Sequence, residues 1–135
     1  MIDVLSRDRF DLSDEQSVHI ALARLRCRLL ELDLSEMLVA KLITVSSELA
    51  GNVLKYALRG TITLKQIKKA EKRGLEISVV DEGPGIADVE QALQDHYSSQ
   101  GTLGLGLPGV KRMVHDFHLT SEVGKGTSVI ATVWL

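Results

Sequence analysis

Residues 75–86 read LEISVVDEGPGI, a short apolar run that ends at an aspartate and a Gly-Pro-Gly bend. The run Leu75–Val80 has the length and the β-branched content of a strand. Two glycines around Pro84 allow a tight bend in which other groups approach the backbone closely. Asp81 stands where the strand ends, and its carboxylate can accept a hydrogen bond from an exocyclic amine such as that of adenine. An ordinary turn after a strand explains the same residues, so this segment alone does not define a site.

Helices precede this segment, and strands lie on both sides of it. Apolar residues recur at helical spacing from Asp14 to Leu32 and from Glu36 to Ala57, with Ser35 as the N-cap of the second helix. The other predicted elements are an edge strand within Met1–Leu12, a strand Thr61–Ile67, a charged turn Lys68–Gly74, a short helix Asp88–Asp95, a helix Val110–Phe117 that could begin near Leu107, and strands His118–Val123 and Thr127–Leu135 around Gly124–Gly126. This order predicts a single domain, 1–135, of the α+β class. We expect a two-layer α/β sandwich with helices on one face of a mixed, mostly antiparallel sheet.

The bulk composition is that of an ordinary globular domain. The 135 residues are 44% hydrophobic and 25% charged, with a formal net charge of −2. This charge does not favour nucleic acid or an anionic membrane as a partner. The first residues lack the apolar core of a secretory signal, and no run approaches the ~18 apolar residues of a membrane span, so the expected location is the cytoplasm. Cys27 is the only cysteine, which excludes an internal disulfide.

The second predicted helix carries a carboxylate and an amide one turn apart. Glu48 and Asn52 are four residues apart and therefore share one face of the helix. An amide oxygen suits Mg²⁺, which takes one or two protein ligands and leaves the rest to phosphates and waters. A neighbouring carboxylate suits a general base. Two solvated helix residues would show the same spacing.

A glycine-rich segment, Gly101–Gly109, leads into the predicted helix that follows it. Its glycines let backbone N–H groups face an anion, and the helix N-terminus adds unpaired donors. Pro108 suits a first helical turn. The segment predicts a phosphate cradle. It is neither a Walker A loop, because no Gly-Lys-Ser/Thr follows, nor a Rossmann turn, because no βαβ unit surrounds it.

The order of these motifs resembles a known superfamily. Glu-x-x-x-Asn on a helix, Asp-x-Gly-x-Gly, Gly-x-Gly-Leu entering a helix and Gly-x-Gly-Thr between two strands are together similar to the GHKL ATPases, whose ATP-binding domain has the Bergerat fold. The resemblance runs from about Ser46 to Thr132. Within the superfamily, Ser47–Asn52, Asp81–Ile86 and Gly104–Arg112 look most like the small bacterial serine/threonine kinases of anti-sigma pathways. The run Gly-Leu-Pro-Gly-Val-Lys-Arg is especially similar to the RsbT type, the switch kinases of stressosomes.

This resemblance implies ATP and Mg²⁺ as cofactors and a role for each motif residue. Glu48 is implied as the base for a substrate hydroxyl, Asn52 as the Mg²⁺ ligand and Asp81 as the residue that recognises adenine. The residues implied to shape and support the base pocket are Gly83, Gly85, Ile86 and Thr127. Gly104, Gly106 and Leu107 are implied to bring backbone N–H groups to the phosphates. The segment Tyr97–Leu105, which includes Gly101, Thr102, Leu103 and Leu105, is implied to form the mobile ATP lid.

One stretch departs from the family pattern. Relatives often carry a lysine and an extra glycine where Gln100-Gly101-Thr102 stands here. We therefore expect Lys111 or Arg112, in the following helix, to neutralise γ-phosphate charge, although both also fit a solvated helix face.

Three functions are compatible with the resemblance. The favoured one is a serine/threonine kinase that phosphorylates a STAS-domain antagonist, with an output that could be a sigma-factor regulator, a cyclase or a phosphatase. The second is an anti-sigma factor with kinase activity that binds a sigma factor directly. The third is a nucleotide-gated binding module without transfer. A histidine kinase is not expected, because His19 lies on a helix that is too short to serve as a dimerisation and phosphoacceptor segment.

Overall fold

The structure, a computed structural model, describes residues 1–57, 59–83 and 106–135. These ranges form five strands and three helices: β1 (Asp3–Leu12), α1 (Glu15–Leu30), α2 (Glu36–Tyr56), β2 (Gly60–Lys69), β3 (Lys72–Asp81), α3 (Gly106–Met113), β4 (Asp116–Glu122) and β5 (Gly126–Trp134). The strands make one sheet in the order β1-β2-β3-β5-β4. All four neighbouring pairs are antiparallel. The predicted edge strand is confirmed as β1.

Helices α1 and α2 begin at side chains that satisfy free backbone donors. Asp14 caps α1 by accepting the backbone N–H of Ser17 at 2.7 Å, and the Ser17 hydroxyl accepts the backbone N–H of Asp14 in return. This reciprocal pair is a capping box. Ser35 caps α2 by accepting the backbone N–H of Leu38 at 3.1 Å, as the sequence predicts. The two helices are therefore fixed at their N-termini by local chemistry.

The core lies between the helices and one face of the sheet. Helix α2 packs against α1 and α3 and reaches strands β1, β2 and β3. Alternate residues of the strands point toward the helices, because side chains along a strand alternate between its two faces. The largest fully buried members of this core are Leu12, Leu25, Leu29, Leu42, Val45, Leu49, Val53, Ile62, Leu64, Leu75 and Ile77. This arrangement confirms the two-layer α+β sandwich.

Helix α2 is the central element of the helix layer. By length and composition alone, its segment Glu36–Lys55 could cross a membrane. Core helices have the same length and composition, and Leu42, Val45 and Leu49 of α2 are at most 2% exposed in the core. We therefore describe α2 as the core helix of the sandwich.

The hairpin between β2 and β3 is longer than predicted. The segment Lys68–Gly74, expected to be a charged turn, belongs mostly to the two strands, because Lys69 pairs with Lys72 across a turn of two residues. Ala70 adopts a positive φ of 53°, the conformation that such a tight turn requires. Among the charged side chains that suggested a turn, Lys69, Lys72 and Arg73 lie on exposed positions of the paired strands.

The third helix ends earlier than the predicted Val110–Phe117. It ends at Met113, and Asp116 begins β4 by pairing with Thr132 of β5. The indole N–H of Trp134 donates to Asp116 at 2.7 Å and holds the start of this strand. The position where α3 ends therefore depends on β5, a strand later in the chain that pairs with the residues after the helix.

Two adjacent leucines test the placement of α1. Leu29→Ala removes a side chain that is fully buried in the core and is expected to lower the free energy of unfolding by about 2–5 kcal/mol. Leu30→Ala is the matched control. Leu30 is 60% exposed, so a loss of about 0.5 kcal/mol or less is expected. Urea denaturation measures both, and equal losses would contradict the core face assigned to α1.

Candidate functional site

Asp81 ends β3 and lies on the face of the sheet that carries the helices. Its Oδ1 accepts the backbone N–H of Gly83 at 2.9 Å and that of Thr127 at 3.2 Å. The first bond closes a short turn after β3, and the second ties this turn to β5, where Thr127 is the register partner of Asp81. Both bonds engage the same oxygen. The other carboxylate oxygen, Oδ2, can therefore accept a hydrogen bond from a ligand.

Three polar side chains cross the sheet at this level, and we call them the polar row: Asp81, Thr127 and Ser121. Thr127 of β5 pairs with Asp81 on one side and with Ser121 of β4 on the other. The hydroxyls of Ser121 and Thr127 are 2.9 Å apart, and Ser121 donates to the carbonyl of Gly126 at 3.1 Å. When the Ser121 proton is used in that bond, the Thr127 hydroxyl can donate to Ser121. The lone pairs of the Thr127 hydroxyl then remain available as acceptors.

Glycine is required at two points around the polar row. Gly126 has a φ of 112°, and a Cβ there would lie 2.1 Å from the carbonyl oxygen of Asp81. A Cβ on Gly83 would lie 2.5 Å from the Cβ of Ala57, the residue that follows α2. Only a residue without a side chain allows these approaches. The second contact brings the turn after β3 against the C-terminal end of α2.

Glu48 and Asn52 lie one turn apart on α2, and both are half-buried. They therefore stand at the border between the buried stripe of the helix and its solvent face. Asn52 precedes Ala57 by five residues, about 7.5 Å along the helix axis. Because Gly83 packs on Ala57, α2 carries Asn52 close to the end of the sheet that holds the polar row.

Helix α3 begins at Gly106, within the glycine-rich segment. Gly106 has a positive φ of 54°, and Leu107–Val110 are buried. The helix packs against α2, and its first turn contains no acidic side chain. Its N-terminus can therefore receive an anion. Lys111 and Arg112 lie exposed in the last turn, about 8 Å along the axis from Gly106.

Part of the predicted site lies outside the described residues. This applies to the predicted helix Asp88–Asp95 and to Gly85, Ile86, Gly101, Thr102, Leu103, Gly104 and Leu105. Within the described residues, the structure brings Asp81, Gly83 and Thr127 into direct contact. It places Glu48 and Asn52 on α2, and Gly106 and Leu107 at the start of a helix that packs against α2.

Ser121 is the member of the polar row for which the sequence gives only a weak signal. The residues of β4 that face the helices are Phe117, Leu119 and Ser121, and the first two pack against the core. A hydroxyl in an otherwise apolar alternation suggests a local polar partner. That alternation becomes visible only when β4 is known to begin at Asp116.

A cleft of about 880 Å³ opens at the same end of the sheet. It contains Asp81 and Glu82, but neither Thr127 nor the two polar residues of α2 line it. Its remaining polar walls are Arg9, Asp11, Ser13, Arg59, Thr61 and Thr63. The cleft is therefore distinct from the side of Asp81 that faces α2 and β5.

Two glycines near the polar row give a matched test of its packing. Gly126→Ala is expected to lower the free energy of unfolding by about 3 kcal/mol or more, because the new Cβ combines a positive φ with an overlap on the carbonyl of Asp81. Gly124→Ala has a φ of 83° but open space around its Cβ, so about 1–2 kcal/mol is expected. Thermal and urea unfolding measure the difference. Equal effects would contradict the close approach at Gly126.

Comparison with known proteins places the chain in a family. Residues 38–135 match the family described as histidine kinase-, DNA gyrase B- and HSP90-like ATPase. The chain belongs to this family, which confirms the resemblance drawn from its motifs. It is similar to the serine/threonine-protein kinase RsbT of Bacillus subtilis (strain 168), with 45% identity over 96 residues that cover 71% of this chain and 72% of that protein.

One further relative agrees with this assignment, and one solved structure shares the fold. The chain is similar to the anti-sigma F factor of Clostridium acetobutylicum, with 35% identity over 74 residues, 53% of this chain and 50% of that protein. One chain in the crystal structure of the SiaB–SiaC complex from Pseudomonas aeruginosa superposes with a TM-score of 0.60 over 98% of this chain and 91% of its own. At 12% identity that match shows the shared fold. Together the family and its members confirm an ATP-using domain with serine/threonine protein kinase activity.

Proposed function

We propose that this kinase transfers the γ-phosphoryl group of ATP to a serine or threonine of a STAS-domain antagonist in a bacterial partner-switching pathway in the cytoplasm. The single observation that carries the proposal is the polar row. It leaves a carboxylate oxygen of Asp81 available beside the end of α2, the helix that also bears Glu48 and Asn52. The similarity to RsbT supports transfer to a protein substrate.

Adenine would be recognised by the oxygen of Asp81 that the backbone does not use. The exocyclic amine of adenine is a donor, and Oδ2 of Asp81 is an acceptor already aimed by the two bonds to Oδ1. The Thr127 hydroxyl, oriented by Ser121, would accept a further hydrogen bond near the base. The polar row therefore supplies a preorganised base-recognition edge.

The phosphates would extend from this edge toward α2 and α3. Asn52 would hold Mg²⁺ through its amide oxygen, and the ion, when bound, would neutralise phosphate charge. The half-buried position of Asn52 fits a ligand that is partly shielded from water. The backbone donors at Gly106 and Leu107 would meet phosphate oxygens. Phosphoryl transfer requires mainly positioning and charge stabilisation, which these groups would provide.

Glu48 would act as the base for the substrate hydroxyl. It lies one turn from Asn52 on the same face of α2, and its half-buried side chain is open to an approaching protein. The flanking Gly51 has open space where a Cβ would stand, so a substrate loop can approach this face. A carboxylate in this position can accept the proton that the serine or threonine loses.

Asp81→Asn tests the base-recognition edge. An asparagine can keep Oδ1 as the acceptor of the Gly83 and Thr127 N–H groups, but it then presents an NH₂ donor toward adenine. We expect ATP affinity to fall about 10- to 100-fold with little change in unfolding free energy. Isothermal titration with a non-hydrolysable ATP analogue measures the affinity. Glu82→Gln is the matched control, since Glu82 is an exposed neighbour, and unchanged affinity in Asp81→Asn would overturn the assignment.

Glu48→Gln tests the proposed base. We expect ATP binding to be retained and phosphoryl transfer to fall at least about 100-fold, because the amide keeps the shape and cannot take a proton. The assay follows label from γ-labelled ATP to a purified STAS-domain protein of the same organism. Glu76→Gln is the matched control, because Glu76 lies on the opposite face of the sheet and pairs with Lys65 at 3.5 Å. Undiminished transfer in Glu48→Gln would exclude Glu48 as the base.

The same assay separates the alternative functions. Label on a serine or threonine of the STAS protein supports the proposal. Tight capture of a sigma factor without such label would instead support the anti-sigma function, which the anti-sigma F relatives favour. ATP binding with no transfer to any STAS protein would leave a nucleotide-gated binding module.

A further inference from the structure

Helix α1 carries a second apolar stripe on the side opposite the core. Ile20, Ala23, Cys27 and Leu30 are all exposed, with Ile20 and Leu30 at 48% and 60% of their full surface. Their spacing of three, four and three residues is that of heptad positions a and d, so they lie along one line of the helix. We call them the outer stripe. The face of α1 that packs on the core is a separate set: Val18, Ala21, Leu25 and Leu29.

The outer stripe differs from an ordinary solvated helix face. A surface helix of a sandwich keeps polar residues on the side away from the core. Here four apolar residues extend over about three turns, a length of about 15 Å, which is enough to contact one further helix. The stripe contributes little to the core of this chain, because the side chains of Leu29 and Leu25 already fill that role. The stripe is therefore an apolar face of α1 that no other described element covers.

Two positively charged side chains border the outer stripe. Arg24 and Arg26 flank it on opposite sides, in the e and g positions that border such a stripe in paired helices. Both are exposed, and among the described residues neither has an ion-pair partner. These two guanidinium groups can therefore form salt bridges with acidic side chains of a protein that binds to the stripe.

The next arginine of α1 is already committed. Arg28 donates from Nε to Asp8 of β1 at 3.1 Å and from its terminal nitrogen to Glu31. The hydrogen bond to Asp8 is the main cause that raises the pKa of Arg28 above its ordinary value, so the group stays charged. The bond to Asp8 anchors α1 to β1. The separate bond from the terminal nitrogen of Arg28 occupies the carboxylate of Glu31, which lies close to the outer stripe.

We propose that the outer stripe docks an acidic amphipathic helix of a partner protein. Apolar residues of that helix would pack on Ile20, Ala23, Cys27 and Leu30, and its flanking Glu or Asp side chains would pair with Arg24 and Arg26. A second copy of this chain fits less well. It would bring the same two arginines, and the nearby Glu31 already binds Arg28. The docking surface lies on α1 and shares no residue with the polar row or with the polar pair of α2.

A pair of synthetic helices tests the proposal. The first is a fluorescein-labelled peptide of about 21 residues, with leucine at a and d and glutamate at e and g; the second replaces each glutamate with lysine. Fluorescence anisotropy with the full chain is expected to show at least about tenfold tighter binding of the glutamate peptide at low salt. The preference should shrink when the ionic strength rises from about 50 mM to about 500 mM. Equal binding of the two peptides would overturn the proposal.

Charge reversal gives the decisive variant. Arg24→Glu combined with Arg26→Glu is expected to weaken the glutamate peptide and to create binding of the lysine peptide, a gain that a misfolded chain cannot show. Ile20→Glu should weaken both peptides at least about tenfold. Val123→Glu is the matched control, because Val123 is 67% exposed on a turn away from α1 and should change neither. A charge-reversed chain that keeps its preference for the glutamate peptide would overturn the assignment.

Self-association is the competing outcome. Size-exclusion chromatography with light scattering is expected to give a monomer at the peptide-binding concentrations. A dimer that dissociates in Ile20→Glu would overturn the partner-helix proposal in favour of pairing between two copies.

Discussion

Strands β3 and β5 come so close at Gly126 that one added carbon would lie 2.1 Å from the carbonyl oxygen of Asp81. That approach lets the backbone N–H of Thr127 reach the Asp81 carboxylate, and it sets the register through which Ser121 joins the row. A second close approach, of Gly83 to Ala57, fixes the spacing between the sheet and the end of α2. The geometry of the candidate site therefore depends on close backbone packing. Hydrogen bonds to neighbouring backbone groups orient the side chains of Asp81 and Ser121.

The sequence predicts those parts of the structure that depend on nearby residues. Helical periodicity and the N-cap at Ser35 locate α2 to within a residue at each end. The order of glycine and acidic motifs identifies the family before any geometry is known. The sequence is less informative where a residue's secondary structure depends on a partner that is distant along the chain. Lys69 joins a strand because it faces Lys72, and Asp116 leaves the helix because Thr132 and Trp134 bind it. Ser121 acquires its role only after that strand register is set.

Helix α1 shows a related limit of periodicity. Leu25 and Leu29 repeat at helical spacing on one side, while Cys27 and Leu30 repeat on the other. Both patterns predict a helix, but neither pattern indicates which side of α1 packs against the sheet. The bond from Arg28 to Asp8 joins the helix to β1, the strand that packs beside it, which leaves the outer stripe facing away. The helix layer thus presents the polar pair Glu48 and Asn52 on α2 and a separate apolar line on α1.

The position of β5 has a consequence for how the chain folds. This strand follows β3 and β4 in sequence, yet it lies between them in the sheet. Until it docks, β4 has no strand partner among the described residues, and Asp81 lacks its contact across the sheet. The β2–β3 hairpin and the two long helices can assemble from neighbouring segments. The β1–β2 and β3–β5 pairings instead join residues far apart in sequence, such as Leu12 with Gly60 and Asp81 with Thr127, and contacts of long sequence separation form slowly. During synthesis the growing chain therefore passes through a partial sheet whose exposed edge is β3, and this edge is protected only when the last strand inserts.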